Sequence, residues 1–376
     1  MKIPYSCPDI NQKDIRSLFR NLKTRTITQG KEVEYFEDDI AKITKAKYSL
    51  VVNSATSALH LACKSLGINS ASTVWLPTNT FVSTANAVLF CRGKIDLVDI
   101  DYKTRNISVE KLREKLNLAK KNNTLPALII VVHFAGYPCD LKEIYQLSKK
   151  FKFKILEDSS HALGSKIEDN PIGSCKYSDV SVFSFHAIKI ITTGEGGAIT
   201  TNSSRIFSEI QKLRSHGIVK LKKRKFFWQY DQKDLGFNYR ITDFQCALGR
   251  SQLSRIDTII RKRNFIARKY DKFFRNYHVD ILEPTAKKLC SYHLYVINTP
   301  HRDKLYDYLK KNHIETNVHY IPIFMHSYYK KRFKFNLKDF PNTLKYFNSC
   351  LSIPLYTQMN NAEQTTVMKK IKNFYK

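Results

Sequence analysis

The sequence predicts an α/β protein with a mostly parallel sheet in a large domain, residues 1–252, and a smaller C-terminal α+β domain, residues 253–376. Three observations predict it. Apolar runs alternate with amphipathic stretches over the first two thirds of the chain, as in a sheet with helices packed on its faces. From about Leu253 the texture changes to long Lys/Arg-rich helical segments around one short strand. The 376 residues also exceed the length at which a single hydrophobic core usually stops growing.

Taken in order, Ser49 to Val52 reads as a strand and Thr56 to Leu66 as a helix with Ala58, Leu59, Ala62, Cys63 and Leu66 on one face. Ala127 to Phe134 is apolar enough to be a strand buried on both sides of a sheet. Asp140 to Phe151 reads as a helix whose first turn Asp140 can cap. Lys154 to Leu156 and Val180 to Phe185 read as further strands, His293 to Asn298 as a strand of the second domain, and Arg302 to Asn312 as a helix after it.

Composition narrows the function classes. With 43% hydrophobic and 12% aromatic residues and no low-complexity tract, the chain is globular. Eight scattered cysteines show neither a C-x-x-C pair nor metal-ligand spacing, so they read as core thiols in a reducing compartment, and no metal site is expected. The N-terminus lacks an apolar signal region, and the longest apolar stretch, Ala127 to Val132, is too short to span a bilayer. A cytoplasmic protein without a membrane partner is expected. Sixty-three Lys and Arg against thirty-three Asp and Glu give a formal charge of +30. The clusters Lys220 to Lys225 and Lys330 to Lys334 are short and dispersed, which favours a solvated surface over a nucleic-acid site.

Three segments carry chemistry. In Val51-Val-Asn-Ser-Ala-Thr-Ser-Ala-Leu59 an apolar strand turns through small hydroxyl residues into a helix, which aims backbone N–H groups and the helix dipole at one spot suited to phosphate, although Ser and Thr are also ordinary caps. Ile155-Leu-Glu-Asp158 sets an acid at the carboxyl end of a buried strand, where open α/β sheets bind ligands and where a lone Asp can also cap a helix. Ser184-Phe-His-Ala-Ile-Lys189 places a lysine among Ile188, Ile190 and Ile191 before the Gly-rich turn Gly194-Glu-Gly-Gly197. Desolvation lowers an amine's pKa and makes it a better nucleophile toward an aldehyde. A phosphate cradle, an amine and a carboxylate for a pyridine nitrogen are the parts that pyridoxal chemistry requires.

The string Ser-Phe-His-x-x-Lys…Gly-Glu-Gly-Gly, with Thr26 to Gly30, Gly236-Phe-Asn-Tyr-Arg-Ile-Thr-Asp243 and Val318-His-Tyr-Ile-Pro322, resembles the DegT/DnrJ/EryC1/StrS aminotransferases over nearly the whole chain. The resemblance implies fold-type I architecture and pyridoxal 5′-phosphate as cofactor. It implies Lys189 as the Schiff-base lysine, Asp158 as partner of the pyridine nitrogen, and Phe81 as the stacked aromatic. Ala55, Thr56 and Ser184 would hold the phosphate, and His161, which can equally be a core histidine, would donate to the ring hydroxyl. Asn238 would reach the phosphate of a neighbouring subunit's cofactor, which makes the active unit a homodimer. Tyr5, Arg25, Thr28, His319 and Tyr320 match substrate-contacting positions of the family.

Within the family, the strings around Asn53, Asp158, Lys189 and Arg214 look most like the subgroup acting in pseudaminic acid synthesis, which aminates C4 of a UDP-linked 4-keto-6-deoxy-N-acetyl-L-hexosamine with L-glutamate as donor. A basic mouth is expected to help capture the diphosphate. Ile190, where the subgroup carries Pro, and the lysine-rich 219–226 loop depart from the pattern and leave GDP-, dTDP- and other UDP-linked 4-keto sugars as alternatives. A pyridoxamine-dependent dehydratase, with His in place of Lys189, and a nucleic-acid-binding regulator are the other readings.

Overall fold

The computed structural model describes residues 2–221, 226–275, 277, 279–282 and 284–376. Two N-terminal helices, α1 (Gln12–Leu22) and α2 (Lys31–Thr44), precede the first strand, β1 (Tyr48–Val52), which leads into α3 (Ala55–Ser65). Then come β2 (Thr73–Pro77), α4 (Val82–Phe90), β3 (Lys94–Val98), α5 (Val109–Lys121), β4 (Leu128–Val132), α6 (Leu141–Phe151) and β5 (Lys154–Asp158). A small hairpin, β6 (Lys166–Ile167) and β7 (Asn170–Pro171), separates these from β8 (Val180–Ser184), β9 (Gly197–Thr201) and α7 (Ser204–Arg214).

Seven of these strands form one sheet in the order β1-β9-β8-β5-β4-β2-β3. β9 runs antiparallel to both neighbours and the other pairs are parallel, so the expected mostly parallel sheet is present. The alternation of side chains in β4 shows why the run 127–132 is apolar throughout. Ile129 and Val131 enter the core on one face, Leu128 and Ile130 the core on the other, and all four are fully buried. Helix α3 is buried on more than the expected face, because Ser57 to Cys63 are all enclosed between the sheet and the layer beyond it.

Asp140 does not cap α6. Its side chain makes no cap hydrogen bond and instead pairs with Lys288 at 2.6 Å. An ammonium in reach competes with the first-turn N–H groups for the same oxygen, and here it wins.

After the hairpin β10 (Ile218–Lys220) and β11 (Tyr230–Gln232) the chain forms α8 (Asp243–Leu253) and the long α9 (Ile256–Phe274). The expected division at 252/253 falls in the last turn of α8. Beyond it, β12 (Asp280–Ile281), β13 (Lys288–Leu289), β14 (Tyr295–Asn298), α10 (Arg302–Lys311), α11 (Ser327–Arg332), α12 (Pro341–Ser349), β15 (Cys350–Ile353) and α13 (Asn361–Phe374) follow. β12, β14 and β15 form a separate antiparallel sheet with its own apolar core, which Ile3 from the N-terminus joins through a bridge to Ile314. Seven cysteines are buried, Cys7 is half-buried, and all eight are free thiols. Lys330, Lys331, Arg332 and Lys334 are solvent-exposed, whereas the lysines of 222–225 lie outside the described residues.

Asp99, buried just past β3, ties the C-terminal segment to the sheet. It accepts hydrogen bonds from the N–H groups of Asn342 and Thr343 at the start of α12 and from Thr343 Oγ1, which is also 2.5 Å from Thr78 Oγ1. Asp99→Ala leaves these buried donors without an acceptor and uncaps α12. A destabilisation of about 3 kcal/mol is expected in urea denaturation; a change under about 0.5 kcal/mol, typical of an inert surface site, would contradict this account.

Candidate active site

The sheet's topology brings the carboxyl ends of β1, β8, β5, β4 and β2 to one edge, with the first residue of β9 among them: Val52 and Ser184 both lie opposite Gly197, and Asp158 lies between Val132 and Val182. A cavity of about 540 Å³ opens there. Its lining includes Ala55 and Thr56 after β1, Phe81 after β2, Asp158 and His161 at and after β5, and Ser184 and Lys189 at and after β8. Tyr5, His319 and Tyr320 close it from the N-terminal and C-terminal segments.

Asp158 is the last residue of β5 and 4% exposed. Thr84 Oγ1 donates to its Oδ2 at 2.7 Å, and the Ser160 hydroxyl and N–H donate to Oδ1 at 2.6 and 3.2 Å. No helix begins after it, so the carboxylate caps none; it is an acceptor fixed at the floor of a cavity. Thr84 was not legible as part of the site, because 74 positions separate it from Asp158 and only the sheet order brings α4 over β5.

Lys189 sits in the turn after β8, its N–H bonded to the His186 carbonyl at 2.9 Å. Ile190 and Ile191 anchor that turn in the core, while Ile188 joins the lysine in the lining. Burial lowers the amine's pKa to about 8, against the opposing pull of Asp158. At pH 7 about a tenth of such an amine is uncharged, against fewer than one in a thousand for an ordinary lysine, and that fraction is competent both as nucleophile and as base.

The turn from β1 into α3 serves two ends. Ser54 is the N-cap, its Oγ accepting from the Ser57 N–H at 3.1 Å, as ordinary capping predicts. Ala55 and Thr56 remain facing the cavity in the first turn, where N–H groups have no intrahelical partner and the dipole favours an anion. Gly197 makes this approach possible, because a Cβ there would come within 2.7 Å of the Ala55 nitrogen.

Histidines surround the amine. His161, His293 and His319 are all buried, and burial together with the Lys189 charge lowers the pKa of each, that of His319 to about 3. The His161 and His293 rings lie 4.4 Å apart, and His293 Nδ1 is buried without a hydrogen-bond partner. From sequence His293 read only as the start of a strand.

The remaining sequence-predicted residues lie elsewhere. Asn238, Arg25 and Thr28 are exposed and do not line this cavity. Their two segments run side by side: Thr28 bridges to Thr242, and the Asp243 N–H bonds the Ile27 carbonyl at 2.9 Å. The expected basic mouth is not formed by this chain's lining either, because among its described residues Lys189 is the single Lys or Arg. Arg214 has a structural duty, pairing with Glu37 and donating to the Val51 carbonyl at 2.7 Å.

The profile of the DegT/DnrJ/EryC1/StrS aminotransferase family matches residues 8–372. The chain belongs to this family. Among its relatives is the UDP-4-amino-4,6-dideoxy-N-acetyl-beta-L-altrosamine transaminase of Campylobacter jejuni subsp. jejuni serotype O:23/36 (strain 81-176), 38% identical over 99% of both chains. Among solved structures, Helicobacter pylori PseC, an aminotransferase of pseudaminic acid biosynthesis, superposes with a TM-score of 0.92 at 31% identity over 99% of both chains. The sugar aminotransferase Spr1654 of Streptococcus pneumoniae, described as putative and solved in its PLP form, gives 0.89 at 27% identity over 99% of this chain and 98% of that one.

The protein is thus a pyridoxal-phosphate-dependent sugar aminotransferase, and the cavity fits that cofactor. It offers a buried carboxylate, a part-neutral amine, a helix N-terminus brought close by a glycine, and Phe81, whose ring is 54% exposed beside the opening. Among the described residues no helix of this aminotransferase is long and apolar enough to cross a membrane.

The lowered pKa of Lys189 has a stability consequence in the cofactor-free protein. Between about pH 8 and its unfolded value near 10.4 the unfolded chain holds a proton that the folded one lacks, so this group's contribution rises with pH. Cofactor-free Lys189→Met should be more stable than wild type at pH 7, with the gap narrowing by pH 9.5 in urea denaturation; a gap independent of pH would exclude the lowered pKa.

Proposed function

We propose that this aminotransferase converts a UDP-linked 4-keto-6-deoxy-N-acetyl-L-hexosamine to its 4-amino product with L-glutamate as amino donor, as a cytoplasmic homodimer with shared active sites. The observation that carries the chemistry is the Lys189 amine held near a pKa of 8 in the same cavity as the buried carboxylate of Asp158. The near-full-length likeness to the Campylobacter transaminase supports the choice of sugar.

Pyridoxal phosphate, when bound, supplies an aldehyde that exchanges between amines and a ring that draws electrons from the carbon losing its proton. Lys189 would hold the aldehyde carbon, Asp158 the ring nitrogen, Phe81 the ring face, His161 the ring-hydroxyl side, and Ala55, Thr56 and Ser184 the phosphate. Asp158, held by Thr84 and Ser160, would keep a proton on the ring nitrogen. Lys189, uncharged once displaced by the incoming amine, would carry the proton from the α-carbon of glutamate to the carbon that had been the cofactor's aldehyde, and in the second half of the cycle would return one from that carbon to C4 of the sugar. Tyr5, His319 and Tyr320 line the approach, on the side where sugar and glutamate would enter in turn.

What the cavity lacks supports sharing between subunits. Asn238, Arg25 and Thr28 are exposed and do not line their own cavity, so we assign them to the cavity of a partner, where Asn238 would reach the phosphate and Arg25 would add the positive charge that a diphosphate needs. The neighbouring Ile15, Phe19 and Leu22 of α1 and the residues Trp228 and Leu235 are exposed apolar groups that such an interface would cover.

Two measurements test these assignments. The pyridoxamine form should regain its visible band fastest with the UDP-linked N-acetylated L-sugar, by at least about tenfold over GDP- or dTDP-linked 4-keto sugars, since a pocket that bonds a sugar substituent rejects analogues lacking it by several kcal/mol; preference for another nucleotide would redirect the sugar assignment. Inactive Lys189→Ala and Asn238→Asp subunits, once mixed and exchanged, should recover activity because one composite site in each hybrid is intact. Verified hybrids without activity would refute sharing.

A further inference from the structure

The hydrogen bonds around His161 have a fixed polarity. Ala135 N–H donates to His161 Nδ1 at 3.3 Å, and a backbone N–H can only donate, so Nδ1 must carry the lone pair. A neutral imidazole then bears its proton on Nε2, which lies 3.0 Å from Tyr320 Oη. The phenol oxygen accepts that proton's hydrogen bond, and no acceptor for the phenol's own proton is found among the described residues. Tyr320 lines the cavity, so its O–H remains for a ligand.

The backbone is built to hold this arrangement. Ala135 adopts φ 57°, the left-handed region that a non-glycine residue enters at a cost of about 1 kcal/mol. Gly136 follows at φ 93°, where a Cβ would strike Ser291 Oγ at 2.4 Å and the His161 carbonyl at 2.9 Å. Ser291 Oγ in turn donates to that carbonyl at 2.9 Å. The loop that presents the Ala135 N–H is therefore clamped against the residue it polarises.

We propose that Ala135, His161 and Tyr320 form an oriented hydrogen-bond chain that makes Tyr320 an obligate proton donor to an anionic or carbonyl oxygen of the bound ligand, with His161 as its positioning residue. This rests on the reading of the cavity as the cofactor and substrate site, and it moves the contact expected of His161 one residue outward. Every titratable group around the chain agrees with it. Lys189 and His319 oppose a second proton on His161, burial keeps the adjacent His293 neutral, and Asp158 and Tyr5 oppose ionisation of Tyr320, whose burial also favours the phenol. The receiving oxygen is either the cofactor's ring oxygen or an oxygen of glutamate or the sugar.

Nitrogen-15 NMR of the imidazoles in the cofactor-free protein tests the polarity directly: His161 should carry its single proton on Nε2 from pH 5 to 8. A proton on Nδ1, or two protons, would overturn the proposal whatever the enzyme's activity. In the loaded enzyme, Tyr320→Phe distinguishes the two oxygens. If the ring oxygen is the acceptor, the pKa of the visible band rises by about one unit, since the lost donor had stabilised negative charge on that oxygen. If a substrate oxygen is the acceptor, the band pKa holds and the KM for glutamate or the sugar rises about tenfold, the loss expected of one hydrogen bond to a charged or polar group. An unchanged band pKa together with an unchanged KM for both substrates would overturn the proposal. His161→Gln, whose amide can accept from Ala135 and donate to Tyr320, should keep the wild-type value of whichever quantity moves, whereas His161→Leu should shift it as Tyr320→Phe does; equal effects of Gln and Leu would leave no role for polarity. Absence of any visible band in wild type would instead refute the cofactor site.

Discussion

Everything at the site depends on a carboxylate that is buried at the end of a strand and still open to a ligand. Asp158 is held by a hydroxyl from α4 and by the residue two positions after it, and neither contact neutralises its charge. Such a group is costly to bury unless a cation or a protonated ring completes it. Lys189 supplies part of that compensation in the cofactor-free chain, and this explains why desolvation lowers its pKa only to about 8. The three buried histidines take no share, so the buried charges of the cavity reduce to Asp158 and Lys189, while Glu195 stands in the lining on its exposed side beside His186.

Much of this was legible in the sequence because each part is local. The β1–α3 turn, the acid ending β5 and the lysine after β8 are each read within about ten residues, and the strand order then has to bring them together at the edge where parallel sheets bind ligands. What escaped were contacts between distant segments. Thr84 reaches Asp158 across 74 positions, and Tyr320 reaches His161 across 159, and no periodicity encodes either. Asp140 shows the same limit from the other side. Its position before an amphipathic run is that of a cap, but Lys288, which no local pattern connects to it, decides where the carboxylate goes.

The charge of +30 resolves into a surface property. The clustered lysines of α11 are exposed, and the lining of the cavity contains no Lys or Arg beyond Lys189 among the described residues. A nucleotide diphosphate entering one subunit's cavity therefore meets mainly imidazoles, phenols and hydroxyls, with Glu195 at the exposed side, and positive charge beyond Lys189 has to come from outside that lining. In the proposed dimer that charge would come from the exposed Thr24 to Gln29 segment of the partner, which the Thr28 to Thr242 bridge joins to the stretch after Asn238.

The attachment of α12 to β3 bears on how ligands come and go. Asp99 fastens the start of that helix through buried hydrogen bonds, and the Ile323 N–H adds another to the Thr78 carbonyl, close to Phe81. Swinging the C-terminal segment away like a door would break these bonds together and expose the donors in a poorly solvated seam. The low-energy route is a fixed portal instead, in which rotation of individual rings such as Phe81 admits a bulky nucleotide while the surrounding frame stays rigid. Ring rotations of that kind take nanoseconds, so entry through such a portal is far faster than enzymatic turnover and leaves a later step to set the rate.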